Sequence, residues 1–312
     1  MFFLRKKSKD KESTAFISKM DILKIKEQLE KQVEILHKVG VLQILSDEKT
    51  LGMLGIDNKE YSVPTLQEVL LRLGNKKELV EKKIKQGFTK IIMVPFACPL
   101  EIIIKKYEET IIAHYNEGKL LATKEKITDI DEKLNLDLNQ PINIWNECKD
   151  GDVKNKFIYF PKIYDKINHQ GKTKLDLLLD PKNAWQIYLI EDMPNIPLVG
   201  KGKKIEHRRQ IETNKTPMEY LEIIQTNKIY QGEEGLTPEA DLIYAIIYLE
   251  ETNQVINDWQ GKGNVSYELG ALVSSDNVSW LGWDRDFNRA DLWKLDIWKK
   301  DPRSGARVGI RV

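Results

Sequence analysis

The stretch "GARVGIRV", residues 305–312, decides how the rest of the chain is read. Ala306, Val308, Ile310 and Val312 alternate with Arg307, Gly309 and Arg311, which is the two-residue period of a β-strand with one buried face. Such a strand anchors its end of the chain in a sheet. Immediately before it runs "SWLGWDRDFNRADLWKLDIWKKDP", residues 279–302, where four of the seven tryptophans sit among Asp, Arg, Asn and Lys. Tryptophan normally fills cores. Placing it among charges next to an anchored strand calls for an explanation.

Working back from this end, two helix starts are well marked. "TPMEYLEII" offers Thr216 as N-cap, Pro217 at N1 and Glu219 at N3, a capping box, and "TPEADLIYAIIYLEETNQVI" repeats the motif at Thr237–Pro238, with Gly261 expected just past the helix end. Strand-like runs lie at 156–160 and 184–191, and "TKIIMVPF" reads as a strand followed by a helix from Pro99 to about Asn116. "PTLQEVLLRL" is a further helix, and 117–140 is a polar stretch. Near the start, Ile22, Ile25, Leu29, Val33, Leu36 and Val39 draw one apolar stripe on a helix over 18–39, closed by Gly40. That stripe suits packing on the chain's own domain or self-association through helix 18–39. Residues 5–13 are almost entirely polar and are expected to be disordered. Gly52, Gly55 and "IDNKEYSVP" read as a linker, which gives an N-terminal tail and helical segment over 1–57 and a main domain over 58–312. Strands scattered among helices without βαβ regularity make the fold α+β.

Composition excludes more than it assigns. Lys+Arg of 49 against Asp+Glu of 48 leaves a net charge of +1, so no global field favours nucleic acid. No apolar run approaches the roughly 18 residues of a membrane span. With only Cys98 and Cys148, neither a disulfide scaffold nor a zinc site is expected, and a reducing cytoplasm is the simplest location.

The search for catalytic chemistry is mostly negative. His37, His114, His169 and His207 are far apart and fit no metal or catalytic motif. "LVGKGKKIEHRRQ", residues 198–210, lacks the spacing of a phosphate loop and reads as a basic surface loop. The glycines of "GKGNVSYELG" do not fit a dinucleotide fingerprint. "INDWQ" carries an Asn257–Asp258 pair of the kind that calcium-dependent lectins use, but without a companion carboxylate motif. No catalytic residue, metal ligand or cofactor is expected. What remains is a concentration of binding-surface residue types: Ser275, Asp276, Asn277, Ser279, Trp280, Asp284, Arg285, Asp286, Phe287, Asn288, Asp291, Trp293, Asp296 and Trp298. Aromatics give contact area at low entropic cost and the polar side chains give hydrogen bonds.

Several runs in order, "KTPMEYL", "YQGEEGLTPEA", "LEETNQVINDWQGKG", "YELGAL", "WDRDFNRADL" and "GARVGIRV", resemble the variable proteins of bacterial diversity-generating retroelements. Upstream, "GFTKIIMVPFACPLE", "GKLLAT", "FIYFPK", "GKTKLDLL" and "LIEDMPNIP" extend the resemblance over roughly 62–312. It implies a C-type-lectin-like fold of the formylglycine-generating-enzyme type, with a variable segment at about 273–303 that an error-prone reverse transcriptase rewrites at adenines. It also implies a fixed frame of Trp283, Arg289, Ala290, Leu292, Gly305, Ala306, Arg307, Arg311 and Val312. The fourteen binding-type residues would then converge on one side of a sheet and bind a protein ligand, with Trp293 and Trp298 as hot spots. Two other classes stay open: an enzyme related to formylglycine-generating or sulfatase-modifying proteins, and an oligomeric scaffold. The former work through cysteines near the C-terminus, and nothing after Cys148 is cysteine here.

Overall fold

The helix Pro238–Thr252 is buried along nearly its whole length, because "LIYAIIYL" gives it no polar face to turn to water. Its start is the expected one: Thr237 Oγ1 accepts a hydrogen bond from the Ala240 N–H at 3.3 Å, with Pro238 at the first turn. Its end comes earlier than Gly261. Asn253 adopts a left-handed conformation at φ 62° and closes the helix. The two acids of its first turn are buried and paired, Glu239 with Lys174 at 2.7 Å and Asp241 with Arg307 at 3.1 Å. This is a computed structural model that describes residues 22–126, 128–261, 263–274 and 276–312. The polar run 5–13, the beginning of the helix expected from 18, and Ser275 lie outside them.

Two sheets and two further helices surround that rod. The four-stranded sheet has the order Glu234–Gly235, Val308–Arg311, Gln186–Glu191, Phe88–Val94. The six-stranded sheet runs Ser304–Ala306, Val265–Tyr267, Asn277–Asp284, Arg289–Asp296, Ile142–Ile144, with Asp258–Trp259 pairing to Asn277–Asp284. Helix Leu100–Asn116, expected from Pro99, packs against the rod, as does helix Ile22–Lys38. The architecture is α+β.

The single strand expected over 306–312 is two strands in two sheets. Ser304–Ala306 lies parallel to Val265–Tyr267, and Val308–Arg311 lies between Glu234–Gly235 and Gln186–Glu191. Arg307 is the crossing point. Residues 304 to 310 are all buried, so the alternation does not separate a wet face from a dry one. A strand central to a sheet and covered on both faces loses the polar-out half of the pattern.

The apolar stripe of the first helix is spent inside the chain. Ile25, Leu29 and Leu36 of that stripe join the same continuous core as Ile310, and Ile22, Val33 and Val39 pack partly buried against it. Gln28 and Gln32, one turn apart, also dock on the edge strand Phe88–Val94. Gln28 Oε1 accepts from the Ile91 N–H and Gln32 Oε1 from the Met93 N–H, both at 2.9 Å, while Gln32 Nε2 donates to the Ile91 carbonyl. Two side chains thus do what a missing neighbouring strand would do for an exposed edge. Gln43–Ile44, Leu51–Leu54 and Glu60–Ser62 form one small sheet that spans position 58.

Candidate functional site

The long hairpin Asn277–Asp284/Arg289–Asp296 carries most of the residues singled out above. In its register Trp280 faces Trp293, Gly282 faces Asp291, and Asp284 faces Arg289. The two-residue pleat puts these six positions on one face of the sheet. Tyr267 extends the tryptophan row on one side, and Asn143 extends the Asp291 row on the other. The opposite face holds Leu281, Trp283, Ala290 and Leu292, all buried in the core.

On the outer face Trp280 is held by its indole N–H, which donates to the Lys294 carbonyl at 3.2 Å. A Cβ at Gly282 would come within 3.3 Å of the Trp280 ring and 2.8 Å of Val265 Cγ1, so only glycine lets the indole settle there. Trp293 is 38 % exposed beside it. Next along the strand comes a polar cluster. Arg289 Nε stands 3.4 Å from Asp291 Oδ1, its guanidinium also donates to Gln140 Oε1, and it covers the Phe287 ring at 4.7 Å. Gln140 in turn donates to Asn143 Oδ1 at 3.1 Å. This face offers two indoles, one exposed phenyl ring and a carboxylate–guanidinium pair within a few residues of each other. Such a set gives stacking area and oriented hydrogen bonds to a flat partner rather than an enclosed reaction chamber.

Burial pushes the Asp291 carboxyl up to about 6 and nearby Asp284 adds to this, while Asn143 and Arg289 pull the other way. A carboxyl whose folded value exceeds its unfolded value stabilises the protein at low pH and loses that contribution as pH rises through the folded value. Between pH 4 and pH 7.5 this group alone should therefore lower stability by up to ~3 kcal/mol. Urea denaturation at the two pH values should show that difference shrinking in Asp291→Asn; an unchanged difference would assign it elsewhere.

Not every expected surface residue faces outward. Asp276, Asp286, Phe287, Trp293, Asp296 and Trp298 are exposed, and Asn277, Trp280 and Asn288 are half-buried. Ser279, Asp284 and Asp291 are buried, which corrects the expectation that they are free display positions. Asp284 Oδ1 accepts from the Asp286 and Phe287 N–H groups and so shapes the turn. Arg285 is structural as well: its guanidinium grips Asp258 through two bonds of 2.7 and 2.6 Å and reaches Glu132 at 2.6 Å. A Cβ at Gly261 would sit 2.4 Å from that guanidinium, which explains a glycine there better than a helix end does. Asp258 is thereby occupied by arginine rather than arranged for calcium.

The frame residues divide too. Trp283, Leu292, Gly305 and Arg307 are buried, Arg311 pairs with Glu234 at 2.9 Å, and Arg289 belongs to the outer face. Asn277 and Asp296 face each other at the hairpin's open end, on the core-side register. Trp298 stands apart. It lines a groove of about 570 Å³ with Ile163, Met218, Leu221 and Glu222, beside helix Pro217–Thr226. Of these residues, Trp280, Asp284, Asp291 and Trp293 share one register face of the hairpin, Asn277, Ser279 and Asp296 the other, Arg285, Asp286, Phe287 and Asn288 form its turn, and Trp298 lies apart. Sequence reasoning missed Gln140, Asn143 and Tyr267, which reach the face from a distant loop and two distant strands and carry no local signal.

Cys98 and Cys148 are buried, and burial pushes the Cys98 thiol up to about 12, so it is not a thiolate at neutral pH. Among the described residues no group of three or more His, Cys, Asp or Glu is placed to hold a metal ion. No described helix is long and apolar enough to cross a membrane. No protein-family model, curated protein or solved structure matches the chain.

Proposed function

We propose that this is a non-enzymatic binding protein of the cytoplasm, with a C-type-lectin-like domain whose hairpin face is diversified by a retroelement and meets a protein ligand. The observation that carries the reading is the division of the hairpin. One face is locked into the core by Trp283, Ala290 and Leu292, and the other presents Trp280, Trp293 and Arg289 on a backbone paired on both sides. Side chains on such a face change without opening a core cavity. Its flat mixture of aromatic and polar groups fits a macromolecule better than a small substrate. The order of short motifs over 62–312 supports the same reading, and the burial of both cysteines, Cys98 and Cys148, weighs against the formylglycine-generating alternative.

The test is genetic. Sequencing the locus should reveal, beside a reverse-transcriptase gene, a near-copy of the codons for about 273–303 that differs from them at adenines. The variable codons should include those of Trp280, Phe287, Trp293 and Trp298 and spare those of Trp283, Leu292 and Arg307. A locus with no such copy sinks the proposal.

A further inference from the structure

At the edge of the six-stranded sheet away from Arg289–Asp296, the segment 196–209 leaves the body of the protein. Its root is fixed: Asn264 Nδ2 donates to the Ile196 carbonyl at 2.6 Å, and the Thr213 N–H donates to the Pro197 carbonyl at 2.9 Å. The chain then makes a tight turn, closed by the Lys201 N–H to the Leu198 carbonyl at 2.9 Å, with Gly200 at φ +79°. That turn holds two aliphatic side chains out in solvent, Leu198 at 47 % and Val199 at 56 % exposure. Directly after it come exposed Lys201, Lys203, Lys204 and Arg209.

The basic hairpin Lys204–Ile205/Arg208–Arg209 is rigidly mounted. Arg208 turns inward, where it is buried and donates twice to Glu233 at 2.7 Å, with Glu191 at 3.1 Å and the Phe88 ring 4.6 Å below. Lys83 pairs with the same Glu233. The neighbouring helix Lys77–Lys85 abuts the hairpin through Gln86 Nε2, which donates to the Glu206 carbonyl at 3.4 Å, and adds exposed Lys82 and Lys85. The acids at hand are exposed Glu206 and half-buried Glu81 and Glu212, the last already bonded to Arg209 and the Gly202 N–H. In a chain of net charge +1, this is a local excess of cations around an apolar tip.

We propose that the segment 196–209 docks the protein on the surface of an anionic lipid bilayer. Leu198 and Val199 enter the interfacial layer, and Lys201, Lys203, Lys204 and Arg209 meet the lipid phosphates. The exposed aliphatic pair selects lipid over nucleic acid. A polynucleotide gives Leu198 and Val199 nothing apolar to enter, and the tip has no aromatic ring on which a base would stack. Each basic side chain near an anionic membrane strengthens partitioning by about fivefold, an effect that fades within a Debye length and with added salt.

The test is co-sedimentation of the full chain with phosphatidylcholine vesicles that do or do not contain phosphatidylglycerol. Binding is expected to the anionic vesicles alone. It should fall by about tenfold in Leu198→Ser/Val199→Ser through lost apolar burial, and disappear in Lys201→Glu/Lys203→Glu/Lys204→Glu. All five positions are exposed, so circular dichroism and the urea midpoint should stay unchanged in both variants. Absence of binding to anionic vesicles at low salt overturns the proposal. So does binding that ignores Leu198→Ser/Val199→Ser and is competed away by double-stranded DNA, which would assign the patch to nucleic acid. None of these outcomes depends on the display reading of the hairpin.

Discussion

Replacing Arg307 with alanine is expected to cost about 3–5 kcal/mol of folding stability. Arg307 is 4 % exposed and sits where the chain passes from one sheet to the other. Its Nε is 3.1 Å from Asp241 Oδ1, and its Nη2 donates to Asn257 Oδ1 at 2.8 Å and to the Pro194 carbonyl at 3.1 Å. The remaining nitrogen donates to the Met193 carbonyl, and the Tyr244 ring lies 4.7 Å away. Removing the guanidinium strands the buried Asp241 carboxylate, whose proton affinity burial already raises against the pull of Arg307. The stranded acid should take up a proton, so the variant should regain part of its stability as pH falls. Arg307→Met combined with Asp241→Leu should recover most of the loss, because an apolar pair leaves no unpaired charge. A urea midpoint for Arg307→Ala close to that of the parent would show that the crossing is held by its backbone alone.

The second large effect separates two kinds of tryptophan. Trp283→Ser should lose about 3–5 kcal/mol through lost burial and the cavity it leaves, and Leu292→Ser somewhat less. Trp298→Ser and Phe287→Ser should each change stability by less than about 1 kcal/mol, as exposed positions do. Trp283 is 1 % exposed, whereas Trp298 and Phe287 are 65 % and 58 % exposed. Thermal melts of the four variants decide the matter, and equal damage from both groups would remove the distinction between frame and display. Asp284→Ser belongs with neither group, because its carboxylate holds two turn N–H groups and its loss should cost about 1 kcal/mol.

The helices were legible because their signals are local. Thr216, Pro217 and Glu219 build the observed capping box within four residues, and Thr237 repeats the cap. The strand at Phe88–Val94 was legible for similar reasons, whereas the exposure of Trp293 and Trp298 was expected from the resemblance. The crossing at Arg307 was not. An alternating run looks the same whether it stays in one sheet or changes sheets, and a buried arginine is recognisable only beside its acid, which lies in a different helix. Arg285 escaped in the same way, since its partners Asp258 and Glu132 are remote in sequence. The buried positions Ser279 and Asp291 lie on the interior strands of a sheet, where polarity does not report burial. What a sequence hides here is pairing between charges far apart along the chain.

The placement of Val308–Arg311 between two older strands bears on how the protein is made. The four-stranded sheet cannot close until this segment, which follows the hairpin in translation, has emerged. A frameshift or premature stop anywhere from 277 to 303 removes the strand, and with it the partner that separates Glu234–Gly235 from Gln186–Glu191. Such products would expose unpaired strand edges and apolar surface, the features that mark a chain for degradation or aggregation. A missense change on the outer face of the hairpin leaves the downstream strand intact. The fold thus acts as its own censor of reading frame: a substitution on the outer face of the hairpin leaves the closing strand in place, and a loss of frame ahead of it removes that strand.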